Sequence, residues 1–451
     1  MAFDTFTFTH RGIEGRRVRL GYALGSAAGE RIDFEETLDL PESLGTLAPP
    51  DDPAVARALL GLHLAAGTSY WKTHIPRELV LAEGSLSEDD ARFWTDVYTL
   101  GMGEFFYRNG IDPAGRARFP VDTGTVPVET GTVPVSAGPA LLLWGGGKDS
   151  VVSHEVLEQA GMPHELITFG SQGWEWVRRS AEVAGAPLHV VTRRLDPKLF
   201  ELNAAGALNG HVPVNTFLAF AGTLVALSSR RALVIASNEA SASQGNVLWH
   251  GLDVNHQWSK SLAFERMMRL WLTRNIGDRC DYYSLLRPLS ELRIVKAFAT
   301  HPEYFEAVTS CNTNFKQSGP VPRRFCLTCP KCVFVALMAR PWLSDRDYHR
   351  WLGGDPLADP ANVTLIEELL GVAGTKPFEC VGTPEETAAA IHLARKRGHL
   401  LPHGVMTAFA AACTASLSNL ETTTHRALTR SDEHELSRER VAQLDDYLAR
   451  H

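Results

Sequence analysis

The first 48 residues alternate between apolar and polar side chains in three stretches, FTFTH, RRVRLGYAL and RIDFEETLDL. Alternation with a period of two predicts two or three antiparallel strands. Residues 51–110 change to a helical period, and the first helix begins with two acids and a proline. We therefore expect residues 1–110 to form an N-terminal α+β domain.

Residues 111–138 read IDPAGRARFPVDTGTVPVETGTVPVSAG, in which TGTVPV nearly repeats. Proline and glycine recur throughout, as they do in loops. The composition predicts a linker at a domain boundary, with no chemistry of its own.

From residue 139 onwards, apolar strand patterns alternate with helical ones. Strands are predicted at residues 141–144, 164–170 and 187–195 and from 232, with helices at 151–161, 174–185 and 212–229. This alternation predicts an α/β fold with a parallel, doubly wound sheet over residues 139–342. Residues 343–451 show helical patterns alone, and we expect them to form a lid or a substrate-binding appendage.

The stretch PALLLWGGGKDSVVSH is the centre of this organisation. A short apolar run stops at Gly145, Gly146 and Gly147, and Lys148 then leads into a helix. A strand, a glycine turn and a helix start can cradle a phosphate, because glycine lets the backbone approach the anion and the helix offers free amides. A tight turn without a ligand is the alternative. The spacing fits neither the Walker pattern nor GxGxxG.

Other predicted strand ends carry polar residues or glycine. Ligands bind at the carboxyl ends of strands in such sheets, so residues 169–172, Arg193, Arg194 and residues 237–239 are expected around one crevice with the glycine loop. The candidate cofactor-binding residues are Gly145, Gly146, Gly147, Lys148, Asp149, Ser150, Phe169, Gly170, Asn215, Ser237, Asn238 and Glu239. We also expect the side chains of Asp149 and Ser150 to cap the helix.

Residues 237–260 form an unusually polar stretch. His250, His256 and Lys260 are candidates for acid–base catalysis. Asn246, Asn255 and Ser259 are candidate substrate-binding residues in the same stretch. The alternative is a well-solvated loop.

Four cysteines are candidate metal ligands: Cys311, Cys326, Cys329 and Cys332, the last three spaced as CxxCxxC. Four thiolates can enclose a structural zinc ion, and an iron–sulfur cluster or a redox pair are the alternatives. Three further cysteines are isolated and expected in the core: Cys280, Cys380 and Cys413. Three basic side chains near the cluster could bind an anionic substrate or form a solvated rim: Lys316, Arg323 and Arg324.

The chain has 451 residues, of which 44% are hydrophobic and 21% charged, and a formal net charge of −8. Acidic charge argues against nucleic-acid binding. No apolar stretch is long enough to span a bilayer, and no secretory signal is visible. Seven cysteines, four of them clustered, do not resemble a disulfide scaffold. We expect a cytoplasmic protein and leave its oligomeric state open.

GGGKDS resembles the SGGxDS loop of the PP-loop ATP pyrophosphatases, with Gly145 in place of the family's serine. VPVNT, SNEAS and CxxCxxC also resemble the cyano-deazaguanine synthases of that group. A closer resemblance, over nearly the whole chain, is to the MurL-type UDP-N-acetylmuramoyl-L-alanyl-L-glutamate epimerases. The residues that carry it are SNEASASQGNVLWHG, VNHQWSKS, SCN and CLTCPKC.

This resemblance implies ATP-dependent inversion of the terminal L-glutamate of a nucleotide-sugar peptide through an acyl-adenylate, for peptidoglycan synthesis. It implies that Lys148 binds phosphates and that Mg²⁺ is held by Asp149 or Glu239. The alternatives are an adenylating ligase that forms an amide or thio product, an enzyme thiolating transfer RNA, a non-catalytic nucleotide sensor, and an epimerase of another peptidyl-glutamate.

Overall fold

The computed structural model describes residues 3–122, 138–170, 175–315, 323–415 and 419–451. The strands are β1 (Thr5–Glu14), β2 (Arg17–Gly25), β3 (Arg31–Asp39), β4 (Glu78–Leu81), β5 (Ala140–Leu143), β6 (His164–Gly170), β7 (Leu188–Arg194), β8 (Leu233–Ala236), β9 (Val247–Trp249), β10 (Leu252–Val254) and β11 (Asp281–Ser284). The helices are α1 (Pro53–Trp71), α2 (Glu88–Thr99), α3 (Gly103–Asn109), α4 (Lys148–Gln159), α5 (Glu175–Ala184), α6 (Pro197–Ala204), α7 (Val214–Ser228), α8 (Leu262–Ile276), α9 (Glu291–Phe298), α10 (Pro330–Ala339), α11 (Asp345–Leu352), α12 (Val363–Leu369), α13 (Pro384–Lys396), α14 (His403–Ala415), α15 (Leu420–Leu428) and α16 (Arg438–Leu448).

Nine strands form one mixed sheet in the order β11-β8-β5-β6-β7-β3-β2-β1-β4. The first five of these are mutually parallel, which confirms the predicted α/β class and parallel arrangement. β1, β2 and β3 pair antiparallel, as their alternation predicted. The two halves join where β3 pairs antiparallel with β7 through residues such as Leu38 and Arg193.

Helices cover both faces of the parallel strands. Leu141 of β5 is buried in a core shared with α1, α7 and α8. Its neighbour Leu142 is buried in a second core shared with α4, α9 and α10. Successive strand residues point to opposite faces, so a run of apolar residues such as ALLL is what a doubly covered strand requires.

The chain reverses its direction of progress across the sheet at β5. It moves outwards from β5 to β6 and β7, then returns through α7 to β8 on the other side of β5. The carboxyl ends of β5 and β8 therefore flank a topological switch point, where open α/β sheets bind ligands. The glycine loop follows β5 directly.

Domain boundaries predicted from composition are not visible in the sheet, because strands of residues 1–110 continue the sheet of residues 139–342. Most of the predicted linker, residues 123–137, lies outside the described residues. The described parts of residues 343–451 contain the helices α11 to α16, joined by loops, and no strand, as their helical patterns predicted. No helix in the described ranges combines the length and apolar character needed to cross a bilayer.

Several elements escaped the sequence analysis, among them β4, β11 and the hairpin of β9 and β10. β11 has the sequence DYYS, which lacks the apolar run that marked β5 and β8. The hairpin of β9 and β10 interrupts the polar stretch that the sequence analysis treated as a loop.

Candidate active site

The glycine loop turns sharply between β5 and α4. Gly146 has φ +71°, and a Cβ at this position would lie 2.8 Å from the Cα of Val177. Only glycine adopts this conformation without strain in so little space. The loop therefore needs Gly146 for its shape, independently of any ligand.

The start of α4 has no side-chain cap. Its N-cap is Gly147, and the hydroxyl of Ser150 donates to the Gly147 carbonyl oxygen at 2.9 Å. Our expectation that Asp149 and Ser150 cap the helix is therefore wrong, because Ser150 turns its hydroxyl towards a carbonyl group. The first amides of α4 are left available to an anion, where the helix dipole also favours negative charge.

A cavity of about 320 Å³ opens at this switch point. Sequence-predicted residues that line it are Gly145, Gly147, Asp149, Ser150, Phe169, Asn215, Ser237, Asn238 and Lys260. Residues that line it without having been predicted include Thr309, Ser310, Asn312, Lys331 and Cys380. The structure thus brings together the ends of β5, β6 and β8, as the parallel sheet predicted.

Lys148 lies beside the cavity rather than in its lining. Its side chain is fully buried, and Nζ contacts carboxylate oxygens of Asp149 and Glu291. The second oxygen of Glu291 accepts from Lys331 Nζ at 2.9 Å. Burial alone would raise the pKa of Glu291, but the two lysine charges lower it. Glu291 therefore joins the glycine loop to the segment that carries Lys331.

Lys331 differs from Lys148 because it lines the cavity. Burial would lower its pKa, but the carboxylates of Glu291 and Asp149 raise it. Lys331 therefore carries a positive charge where an anionic ligand would bind.

Lys260, which also lines the cavity, contacts the thiol of Cys380, with Nζ 3.3 Å from Sγ. His256 acts on the same thiol, and its Nδ1 contacts a carboxylate oxygen of Glu104. Our prediction that Cys380 is an isolated core residue is wrong. It is partly exposed and belongs to the cavity lining.

The charges around Cys380 favour a thiolate. Burial would raise the pKa of the thiol, but the charge of Lys260 and the interaction with His256 lower it to about 5. Burial would likewise lower the pKa of His256, but Cys380 and Glu104 raise it to about 9. Near neutral pH, Cys380 and His256 are therefore a thiolate and an imidazolium.

Glu239 is buried next to this group of charges. Only 2% of its surface is exposed, and its Oε1 finds no hydrogen-bond partner within the described ranges. Burial and the charge of Glu291 raise its pKa, against the effect of Lys260. An unsatisfied buried carboxylate oxygen is costly unless a cation or proton satisfies it.

The structure does not bring His250 to the cavity. His250 is exposed in the turn between β9 and β10, with φ +48°, and its ring lies against Trp249. It lines a different cavity, together with residues of α2 and the segment after α3. The two histidines of the polar stretch therefore occupy different environments.

Asn246 and Asn255 organise the loop that carries His256. Asn246 accepts from the His256 amide at 2.9 Å and donates to backbone carbonyls at residues 376 and 377. Asn255 accepts from the Gln257 amide at 2.7 Å. Ser259 is buried in the short turn just before α8. These side chains support the position of Lys260 and of the segment before Cys380.

Two of the predicted basic residues, Arg324 and Arg193, bind other protein groups. The guanidinium of Arg324 donates to backbone carbonyls, among them that of Trp351 at 2.7 Å. Arg323 is exposed, and Lys316 lies outside the described residues. Arg193 forms an ion pair with Glu36 of β3, with Nε 2.6 Å from Oε1. Arg193, at the end of β7, therefore pairs with the neighbouring strand β3 and does not line the cavity.

The four predicted cysteine ligands converge. All four Sγ atoms lie within 4.8 Å of one another, with Cys311 and Cys329 4.0 Å apart and Cys326 and Cys332 3.8 Å apart. A tetrahedral zinc ion with bonds of about 2.3 Å places sulfur atoms about 3.8 Å apart. The cluster therefore has the dimensions of a single-ion site.

The local backbone explains how CxxC delivers two thiols to one point. Leu327 has φ +67°, a left-handed turn that side chains rarely adopt. The Cys329 amide, one turn later, donates to Cys326 Sγ at 3.3 Å. Such strain persists only where the surrounding structure holds it. Lys331 lies between two of the ligands, so the cluster also positions a cavity residue.

Two protein-family models match the chain. Residues 1–285 match the family model described as the MurL N-terminal domain, and residues 307–424 match the MurL C-terminal domain. A UDP-N-acetyl-alpha-D-muramoyl-L-alanyl-L-glutamate epimerase from Salinispora tropica is 40% identical over 86% of this chain and 84% of its own. Proteins with the same description from Micromonospora and Xanthomonas oryzae are 40% and 37% identical, over 86% and 84% of this chain and 86% and 83% of theirs. No solved structure matches significantly.

Proposed function

This chain belongs to the MurL family of epimerases, and we propose that it inverts the terminal L-glutamate of UDP-N-acetylmuramoyl-L-alanyl-L-glutamate to D-glutamate, with ATP as co-substrate. The enzyme is an isomerase. We further propose that the α-carboxylate is activated as an acyl-adenylate, with release of pyrophosphate, and that the product serves peptidoglycan synthesis in the cytoplasm.

One observation carries the proposed ATP dependence: an uncapped helix start meets a glycine turn at the switch point of a parallel sheet. Backbone amides at this place suit the phosphates of a nucleotide. Apolar residues of the same cavity, among them Leu143, Ile167 and Leu218, suit a purine ring. This arrangement supports a PP-loop type of site, with the Gly145 backbone retained where the resembling family has serine.

Activation of the carboxylate answers a chemical difficulty. An α-proton beside a carboxylate is hard to remove, because the product would carry two adjacent negative charges. Formation of a mixed anhydride with AMP removes the charge of the carboxylate and makes the carbon acid stronger. Lys260 and Lys331, both charged and both in the lining, would stabilise the negative charge that develops on the acyl oxygen.

Two carboxylates could hold Mg²⁺, which would neutralise the charge of the pyrophosphate leaving group. Asp149 lines the cavity, and Glu239 carries the unsatisfied oxygen described above. Hard cations prefer such oxygen donors. These residues fit the ion by donor type.

The cysteine cluster fits a structural zinc ion, because four thiolates at this spacing leave no open coordination position. Its place in the chain suggests its purpose. Cys311 directly follows the cavity residue Ser310, and Lys331 stands between Cys329 and Cys332. A metal ion in the cluster would fix the positions of Ser310 and Lys331 relative to each other.

The deciding experiment uses purified protein with ATP, Mg²⁺ and the muramoyl dipeptide in deuterated water. Pyrophosphate release and the chirality of the hydrolysed glutamate are measured together. We expect D-glutamate that carries deuterium at the α-carbon, formed only with ATP. The D-glutamyl substrate should give the same mixture of epimers from the other direction.

Control reactions separate the alternatives. Gly146→Ala, which opposes the glycine turn, should lower pyrophosphate release and inversion in parallel when ATP is limiting. Pyrophosphate release without inversion in the wild type would indicate an adenylating ligase. Inversion without ATP would contradict the proposed activation. If ATP binds but neither reaction occurs, the muramoyl dipeptide is the wrong substrate.

A further inference from the structure

Cys380 has an environment that no role described so far requires. Its thiol is partly exposed to the cavity that contains the glycine loop. Lys260 and His256, both in the loop between β10 and α8, act on it, and Glu104 of α3 holds His256 in turn. A cysteine that merely filled space would not need two cations beside its thiol.

The cations around Cys380 all favour its thiolate. Lys260 and Lys331 line the cavity with positive charge, and His256 is charged beside Glu104. The buried carboxylate Glu239 lies near enough to raise the pKa of Lys260, and its Oε1 has no partner among the described residues. The cavity thus contains an anionic sulfur and, independently, an unsatisfied buried oxygen that points to a ligand.

We propose that the Cys380 thiolate is the base that removes the α-proton of the terminal glutamate on one face, with Lys260 and His256 as its positioning residues. This inference rests on the proposed epimerase function. Thiolates are soft, weakly hydrated bases, and partial burial keeps this one from water. The sequence analysis assigned acid–base chemistry to His256 and Lys260, and the structure places Cys380 beside both of them, in the cavity lining.

The proton transfer balances as follows. The α-carbon–hydrogen bond breaks, a sulfur–hydrogen bond forms on Cys380, and the electron pair moves into the activated acyl carbonyl as an enolate. A solvent-exchanging acid delivers a proton to the opposite face. Water then hydrolyses the acyl-adenylate and releases AMP, and the Cys380 thiol returns its proton to solvent, so one proton is lost from the substrate and one is gained from solvent.

Cys380→Ala tests the proposal, with Cys413→Ala as the matched control outside the cavity. Pyrophosphate release and inversion are measured side by side. We expect Cys380→Ala to retain pyrophosphate release within about threefold, since it leaves the glycine loop intact. Inversion should fall about 10²- to 10⁴-fold, the usual contribution of a general base. Cys413→Ala should match the wild type in both reactions.

Outcomes that contradict the proposal are distinct. Inversion by a folded Cys380→Ala variant at the wild-type rate would overturn it and leave the proposed function standing. A parallel loss of both reactions in Cys380→Ala and in the conservative Cys380→Ser would indicate a structural role. A glutamyl adduct on Cys380 after acid quenching would identify a nucleophile and overturn the base. If the wild type neither releases pyrophosphate nor inverts, both proposals fail.

Alkylation by iodoacetamide provides a readout that needs no substrate. The rate at Cys380, followed by mass spectrometry, should rise with pH around a midpoint near 5, which is the pKa set by its neighbours. Lys260→Met should move this midpoint upwards, while the exposed control Lys396→Met should not. A midpoint near 9 in the wild type would show that Cys380 is an ordinary thiol and would overturn the proposal.

Discussion

Two parts of one cavity are built in opposite ways. The glycine-loop part, residues 145–150, is a contiguous segment that offers mainly backbone amides. The thiol part, which consists of Lys260, Lys331 and Cys380, is assembled from three distant segments and offers side-chain charges. Backbone recognition of a phosphate needs a local shape, whereas a tuned acid–base site needs several charges around one atom. Only the first requirement leaves a motif in the chain.

Glu291 connects the two parts, because its carboxylate pairs with Lys148 behind the glycine loop and with Lys331 in the cavity. If a substitution in one part changed neither the stability nor the activity of the other, the two parts would not be coupled through Glu291. The following experiments examine this, from the largest expected effect to the smallest.

Loss of the cysteine cluster should have the largest effect on the thiol part. Cys326→Ser should abolish zinc binding and lower the free energy of unfolding by about 4 kcal/mol or more, since a lost structural metal is among the most destabilising changes. Zinc content and urea unfolding measure this. Cys413→Ala, outside the cluster, should change neither. Full stability without any bound metal would contradict the structural role.

Removal of the charge on Glu291 should have the next largest effect. Glu291→Gln leaves two buried ammonium groups without their shared counter-ion, which should cost about 3–5 kcal/mol in the free energy of unfolding. Denaturant unfolding is the measurement. Glu306→Gln removes an exposed partner of Arg350 and should cost less than about 1 kcal/mol. Equal effects of both changes would show that Glu291 does not link the two parts.

Gly146→Ala should affect the glycine-loop part alone. The added Cβ would approach the Val177 backbone and oppose the left-handed turn. We expect ATP affinity to fall about 100-fold, or about 2.7 kcal/mol, by calorimetry. The pH dependence of Cys380 alkylation should stay unchanged. Gly145→Ser is the control, since no heavy atom lies within 4 Å of a Cβ there, and its affinity should equal or exceed that of the wild type.

The two histidines of the polar stretch should give the smallest and sharpest contrast. His250→Ala should change inversion less than about twofold, because His250 is exposed at a hairpin turn away from the cavity. His256→Ala should lower inversion more than about tenfold, because it removes the cation beside Cys380. The epimerisation assay measures both. Equal losses would contradict the placement of the thiol part.

Much of the architecture was evident from local patterns. Alternation in residues 1–48 predicted β1 to β3, and apolar runs between helical segments predicted β5 to β8 because both faces of a parallel strand are buried. The order of those strands and the joining of both halves through β3 and β7 depended on pairing between distant segments. Polar DYYS became β11 only because it pairs with β8.

The same division applies to the site. The glycine loop and CxxCxxC were evident from spacing, because a turn and a metal knuckle are determined by a few consecutive residues. Lys331 had one available signal, its position inside CPKC. Cys380, Glu291 and Glu104 had none, since nothing in their neighbourhood along the chain indicates charge or chemistry. Their function comes from the charges that the fold places around them, and electrostatic interactions act through space rather than along the sequence.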